Sequence, residues 1–277
     1  MKNLCLVFSF CPIFLWGQVK IDFENELSDR WDQSPSGRWG VTTEGALNGS
    51  NSLSHIYDNA ESGRDVISYY FGEIDAEKPV HWKFAIHHNY KPSGSNNWAV
   101  YLLSNQSASI IEENKTLEAL ILGVNQTGTD DTLKLYLQSG SKLTEVFNLG
   151  INWEKDVNLS PYSFQIEKDS LDEFAFFGAT AGEDAELIFK TASPVQIPEE
   201  AEYFALAYEY TSSKDRLLYF DDFEFDARSV IDSLPPELIE IKFLSKNSLE
   251  WIFSENVFST DSFNVIINSE IRSDSVL

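Results

Sequence analysis

Short apolar runs recur along this chain at intervals of about ten residues, separated by Gly, Asn, Asp, Ser and Pro. The runs are rich in β-branched and aromatic side chains, and that spacing predicts an all-β sandwich or barrel. Strands are expected at residues 19–23, 65–71, 80–88, 98–103, 117–124, 132–137, 142–149, 163–167, 186–191, 203–210 and 217–225. No long amphipathic helix competes with them. The clearest alternation is VHWKFAIHH, 80–88, where Val80, Trp82, Phe84 and Ile86 share one parity and His81, Lys83 and His87 the other. One face is core, including Trp82, and the other is wet. The loop KPSGSNN, 91–97, with Gly94 and Asn96 as turn formers, is expected to join 80–88 to the next run as an antiparallel hairpin.

The pattern breaks in two places. Lys2, an apolar stretch from Leu4 to Trp16 and the small Gly17 read as a secretory signal peptide, residues 1–17. The stretch is too short, and too interrupted by Pro12, for a membrane span, and no later run approaches the ~20 apolar residues a span requires. Cys5 and Cys11 both lie inside it, so the mature chain is expected to carry no disulfide and no thiolate metal site. Phe10 stands where a lipoprotein signal wants a small residue before Cys11. The second break is DSLPPEL, 232–238, where Pro235 and Pro236 stiffen the chain. It divides a sandwich, 18–231, from a linker, 232–237, and a segment, 238–277, too short for an independent sandwich. Further domains are therefore expected C-terminal to this chain.

Charge narrows the partners. The 277 residues hold 44 acids, 20 bases and 4 histidines, a net charge of -24. Such a field repels phosphate backbones, so nucleic acid is not an expected partner. It suits neutral glycans, or cations held by carboxylates.

Several segments resemble a known architecture: RWDQSPSGRWGV with Trp31 and Trp39, GSNSLSHIYDN with Leu53 and His55, HWKFAIHHNYKPSGSNNWAVYLLS, and the closing YFDDFEF. Residues 23–226 resemble the N-terminal concanavalin A-like jelly-roll module of secreted Bacteroidetes-type multidomain proteins, such as lamin tail domain-containing proteins. The tail from Pro235, with WIFSENV, resembles the first strands of a bacterial immunoglobulin-like domain. The resemblance implies a jelly-roll β-sandwich plus a partial immunoglobulin-like segment, secreted or at the cell surface. It implies a non-catalytic role in adhesion or glycan recognition, or a spacer without a ligand, and brings no catalytic residues.

FGEIDAEKP, 71–79, carries the sharpest alternative. Its Glu-Ile-Asp-x-Glu resembles the catalytic strand of laminarinase-type glycoside hydrolases, with Glu73 as nucleophile, Asp75 as helper and Glu77 as acid/base. Retaining hydrolysis needs two carboxyl groups ~5 Å apart. Lys78 and Pro79 follow at once, however, and proline removes a ladder bond, so these residues also read as an acidic turn before the Val80 strand. That turn reading leads.

Two further groups are candidates. If the first and last strands lie side by side, KIDFEN and YFDDFEFD bring Asp22 or Glu24 near Asp221, Asp222 or Glu224. Calcium takes six to eight oxygen ligands, so a structural calcium on Asp22, Asp221 and Asp222 competes with the reading that these acids cap and solvate an edge. A polysaccharide or cell-surface glycan would draw on Trp31, Trp39, His87, His88, Asn97 and Trp98, aromatic faces with polar groups beside them. A strand Trp is more often core than platform. His87 and His88 are adjacent and point to opposite faces, and His81 lies ~20 Å from His87 along the strand, so zinc is not expected. DTL at 131, DSL at 169 and 232, and DSV at 274 match an Asp-Ser/Thr-apolar O-glycan acceptor, with Ser170 equally read as a turn.

Overall fold

The computed structural model describes residues 17–111, 116–180, 183–198, 200–229, 238–245 and 248–253. Its elements are β1 (Gly17–Ile21), β2 (Trp31–Ser34), β3 (Trp39–Thr42), β4 (Ser52–His55), β5 (Gly63–Tyr70), β6 (Val80–His88), β7 (Asn97–Ser104), a short α1 (Ala108–Ile111), β8 (Glu118–Val124), β9 (Thr132–Ser139) and β10 (Lys142–Asn152). After a π-helical turn at Trp153–Val157 come β11 (Tyr162–Lys168), β12 (Phe174–Thr180), β13 (Glu186–Lys190), β14 (Tyr203–Tyr210), β15 (Leu218–Ala227), β16 (Leu238–Ser245) and β17 (Ser248–Phe253).

Two antiparallel sheets face each other. Sheet A is 8-stranded, ordered β13-β12-β11-β6-β15-β4-β3 with β1 on β15; sheet B is 7-stranded, ordered β10-β9-β8-β7-β14-β5-β2. This is a concanavalin A-like jelly-roll β-sandwich, as the run pattern and the resemblance imply. The first and last strands of the sandwich do pair, Gly17 to Ile21 opposite Ala227 to Phe223. A bulge makes that possible. Asp222 takes φ 51°, the register against β6 shifts between Asp221 and Glu224, and β15 pairs with β4 through Tyr219 and Phe220 but with β1 from Phe223 onward. An extra residue thus lets one strand serve two partners on the same edge.

Alternation decides what lies between the sheets. In β6, Val80, Trp82, Phe84, Ile86 and His88 are buried while His81 and Lys83 are exposed, and Trp82, Phe84, Phe164, Phe204, Phe220 and Phe225 form one core cluster. A second apolar layer lies on the outer face of sheet B, where Val66, Ala99, Tyr101, Ile121, Ala205 and Ala207 are covered by Ala108 and Ile111 of α1 and by Leu117. Ala108 N donates to Ser68 Oγ at 2.8 Å, pinning α1 to β5.

One expected element is corrected. Ser93 and Asn96 do close a tight turn, with Ser93 N donating to Asn96 O at 2.8 Å, but β6 and β7 are not a hairpin. β6 pairs β11 and β15 in sheet A, and β7 pairs β14 and β8 in sheet B. The loop is a corner between the two sheets, because both strands carry an inward apolar face that the opposite sheet covers.

The chain divides into two compact units, Met1–Val230 and Ile231–Leu277. Of the second unit, β16 and β17 form an antiparallel hairpin. The linker expectation and most of the immunoglobulin-like segment lie outside the described residues, as does the signal-peptide expectation except for Gly17, the first residue of β1. Among the described residues no helix is long and apolar enough to cross a membrane.

Candidate functional site

The side chains expected to hold a glycan do not form one site. Trp39 and Trp98 are 2% and 0% exposed; both sit on the inward parity of their strands, and Trp98 packs edge-on against Trp153 at 4.7 Å. These two are corrected from stacking platforms to core. Trp31 is half-buried, its ring against Tyr69 at 5.0 Å and Phe23 at 5.7 Å. Asn97 lies on the outer face of sheet B, its Nδ2 3.3 Å from Glu209 Oε2 and its Oδ1 accepting from Gln126 Nε2 at 2.8 Å. His87 faces out from sheet A, stacked on Tyr219 at 5.7 Å with Nε2 2.9 Å from Leu159 O; burial lowers its pKa. His88 points inward, as adjacency requires. Of the O-glycan matches, Thr132 opens β9, Ser170 is exposed in the β11–β12 turn, and the other two lie outside the described residues.

The stretch 71–79 is a turn. Only Ile74 makes a bridge, to Ser229; Asp75 N donates to Arg228 O at 2.7 Å and Lys78 N to Asp75 O at 3.0 Å, and Glu77 N donates to Asp75 Oδ1 at 3.2 Å. The strand in the hydrolase reading is therefore absent, because the Asp75 carboxylate and carbonyl fold the backbone on itself before Pro79. Buried Lys168 fastens the turn from below, its ammonium donating to Ala76 O at 2.7 Å and Lys78 O at 3.2 Å and pairing with Asp172 at 2.7 Å. Of the three acids, Glu73 lines a cleft of about 270 Å³ with Asn105, Gln106, Glu200 and Glu202; Asp75 and Glu77 do not.

Beside this cleft stand two tyrosines. Tyr70 ends β5 and Tyr203 opens β14, opposite each other in the ladder with ring centroids 5.3 Å apart. Both have the outward parity of sheet B, and Tyr70 is 42% exposed. The backbone joins pair and cleft: Phe71 N donates to Glu202 O at 2.9 Å, and Glu202 N to Ser104 O at 3.0 Å. Burial, then the neighbouring Glu73 and Glu200, raise the Glu202 pKa. Aromatic faces here adjoin carboxylates and amides, which together can stack a ring and accept hydrogen bonds from hydroxyls. The same carboxylates repel an anionic ligand. The signal for the pair was available in the sequence, since Tyr70 and Tyr203 alternate with core Tyr69 and Phe204, but two tyrosines more than a hundred and thirty residues apart become a pair only through the β5–β14 ladder.

At the β1–β15 junction the expected acids gather around the loop 47–52. Asp221, 0% exposed, accepts from Asn48 N at 3.1 Å, Ser52 Oγ at 2.8 Å and Asp222 N at 2.8 Å, and burial raises its pKa. Glu24 Oε1 accepts from Ser50 N at 2.7 Å and lies where a Cβ on Gly49 would sit, 2.0 Å away, so Gly49 at φ +64 leaves room for it. Asp222 Oδ2 accepts from Asn48 Nδ2 at 3.1 Å, and Asp22 Oδ1 from Glu24 N at 3.2 Å. None of these four carboxylates has an ion-pair partner among the described residues; Lys20 pairs with Glu224 at 2.8 Å instead. Among the described residues no group of three acids or histidines could by itself hold a metal ion.

The two facing antiparallel sheets define a concanavalin A-like β-sandwich. No family model matches the sequence, and no curated protein does. Among solved structures, the exoplasmic/lumenal domain of VIP36 in its Ca²⁺/Man3GlcNAc-bound form is similar over 79% of this chain and 91% of that domain, with TM-score 0.52 and 9% identity. The CBM2 module of evolved Dit from Lactobacillus casei BL23 phage J-1 is similar over 77% of this chain and 96% of that one, with TM-score 0.50 and 10% identity. At such identities the likeness concerns the fold.

Proposed function

We propose that this chain is a non-catalytic glycan-recognition module, secreted or displayed at a cell surface. A neutral saccharide stacks on the Tyr70–Tyr203 pair and places its hydroxyls toward Glu73, Asn105, Gln106, Glu200 and Glu202. The aromatic pair beside a polar cleft, Tyr70 exposed and Tyr203 half-buried, carries this reading, and the VIP36 domain, whose bound form contains mannose, supports it through the fold. A structural calcium at the β1–β15 junction belongs to the same proposal. The carboxylates there do not make a cage alone, so carbonyl oxygens of the loop 47–52 would complete the ligand set, a mixture usual for calcium.

A glycan array separates recognition from a spacer role. The intact chain is expected to retain one class of neutral glycans, and Tyr203→Ala, which removes one stacking face on the surface, to lose at least about tenfold in affinity, roughly 1.4 kcal/mol, with its melting temperature unchanged. A blank array, or binding indifferent to Tyr203→Ala and Tyr70→Ala, leaves the spacer.

A further inference from the structure

The end of the sandwich where β4 and β6 finish and β7 begins gathers polar side chains between the sheets. His55 Nε2 lies 2.7 Å from Asp65 Oδ2, and the Tyr210 hydroxyl donates to the same oxygen at 2.6 Å. Arg38 Nε stands 3.8 Å from it. This bond joins sheet A to sheet B. An ionised carboxylate only accepts, so His55 Nε2 and the Tyr210 hydroxyl are the donors and His55 Nδ1 is turned away from Asp65. That Nδ1 is buried with no partner, as are Trp39 Nε1, Trp98 Nε1, Arg38 Nη1 and both ring nitrogens of His88.

The residues that carry these atoms are neighbours. Trp39 faces His55 in the β3–β4 ladder, their rings 5.4 Å apart at 87°. Tyr208 stands in the middle, 5.6 Å from the His55 ring and 5.6 Å from the His88 ring, with Trp98 opposite it in the β7–β14 ladder. A buried polar atom left unmatched is costly, and several such atoms at one place call for a ligand. Trp39, Trp98 and Arg38 can only donate, and neutral His88 needs one partner of each kind. The bridging species must therefore donate and accept at once. A simple anion could accept from Arg38 and the indoles but could not donate to the accepting nitrogen of His88.

We propose that this end of the core is a hydration chamber: ordered internal water bridges Trp39 Nε1 to His55 Nδ1 on one side of Tyr208, and Trp98 Nε1 to His88 on the other. Internal water with two to four polar partners is a regular part of folded proteins. The chamber lies at the opposite end of the sandwich from the tyrosine pair and does not depend on the glycan reading.

The test uses the full chain labelled with ¹⁵N-tryptophan. Water-selective rotating-frame transfer is expected at the indole N–H groups of Trp39 and Trp98, assigned through Trp39→Phe and Trp98→Phe. Trp82 is the internal control, because its Nε1 donates to Leu102 O at 2.9 Å and should show none. Transfer at Trp39 and Trp98 no stronger than at Trp82 overturns the proposal in the native chain, whether or not the variants fold. In His88→Phe the Trp98 signal is expected to fall at least twofold while that of Trp39 persists; an unchanged Trp98 signal overturns the His88 bridge.

Discussion

His88 shows how much one residue's parity decides. Its neighbour His87 looks outward, so His88 must enter the core, where burial and the nearby His87 lower its pKa to about 3. The unfolded chain takes up a proton near pH 6.5 and the folded chain does not. Between those values the unfolded state binds more protons, so stability is fully present above pH 6.5 and falls as the pH drops toward 3, by up to about 1.4 kcal/mol per pH unit from this residue. Urea unfolding between pH 7 and 4 is expected to show that slope, and His88→Phe to remove about one proton's share of it. Equal slopes in both proteins would place the acid sensitivity on carboxylates alone. At this scale the sequence was legible wherever alternation was clean: Trp82 reads as core from Val80, Phe84 and Ile86. Trp39 and Trp98 could not be assigned by alternation, because β3 has four residues and both faces of β7 are buried. A strand covered on two sides carries no polar parity to read.

Among the elements, the long runs were legible and the short ones were not. β5, β6, β8, β14 and β15 fall close to their expected ranges, whereas β2, β3 and β4, of four residues each, and β12 were not anticipated. In β12, Phe177 faces outward between Phe176 and Gly178, which hides the period-two pattern. The turn at 71–79 was legible from Pro79, but its anchor was not. Lys168 lies far along the chain from the turn, and a lysine in SFQIEKD reads as a solvated strand end. In the structure its side chain is 0% exposed, with its ammonium held by the Ala76, Lys78 and Asp169 carbonyls. Lys168→Met keeps the apolar stem and removes the charge, leaving those carbonyls unpaired in a buried place. It is expected to cost about 3 kcal/mol and to speed cleavage by a glutamyl endopeptidase after Glu77 in the loosened turn. A variant as stable and as protease-resistant as the native chain would mean that the Asp75 turn holds itself.

For the whole molecule, the net charge of -24 over 277 residues has its sharpest consequence where the sheet closes. Asp22, Glu24, Asp221 and Asp222 crowd one junction without a cation of their own among the described residues, and they do so because the bulge at Asp222 turns β15 from β4 to β1. Pairing of the ends was inferable from the jelly-roll resemblance; the loop 47–52 that fills the junction was not, since its part is played by backbone N–H groups and by the missing Cβ of Gly49. Those donors offset some of the repulsion, yet the buried Asp221 still has its pKa raised, so negative charge there is incompletely compensated. A divalent ion that binds the folded junction and not the unfolded chain stabilises by mass action, about 2.7 kcal/mol at a hundred times its dissociation constant. Millimolar calcium is therefore expected to raise the melting temperature by several degrees and EDTA to reverse it, with magnesium, which demands a tighter octahedron, doing less. Asp221→Asn should abolish the calcium response while keeping the acceptor that Ser52 and Asn48 use. A melting temperature indifferent to both calcium and EDTA would show that the loop's N–H donors close the sandwich unaided.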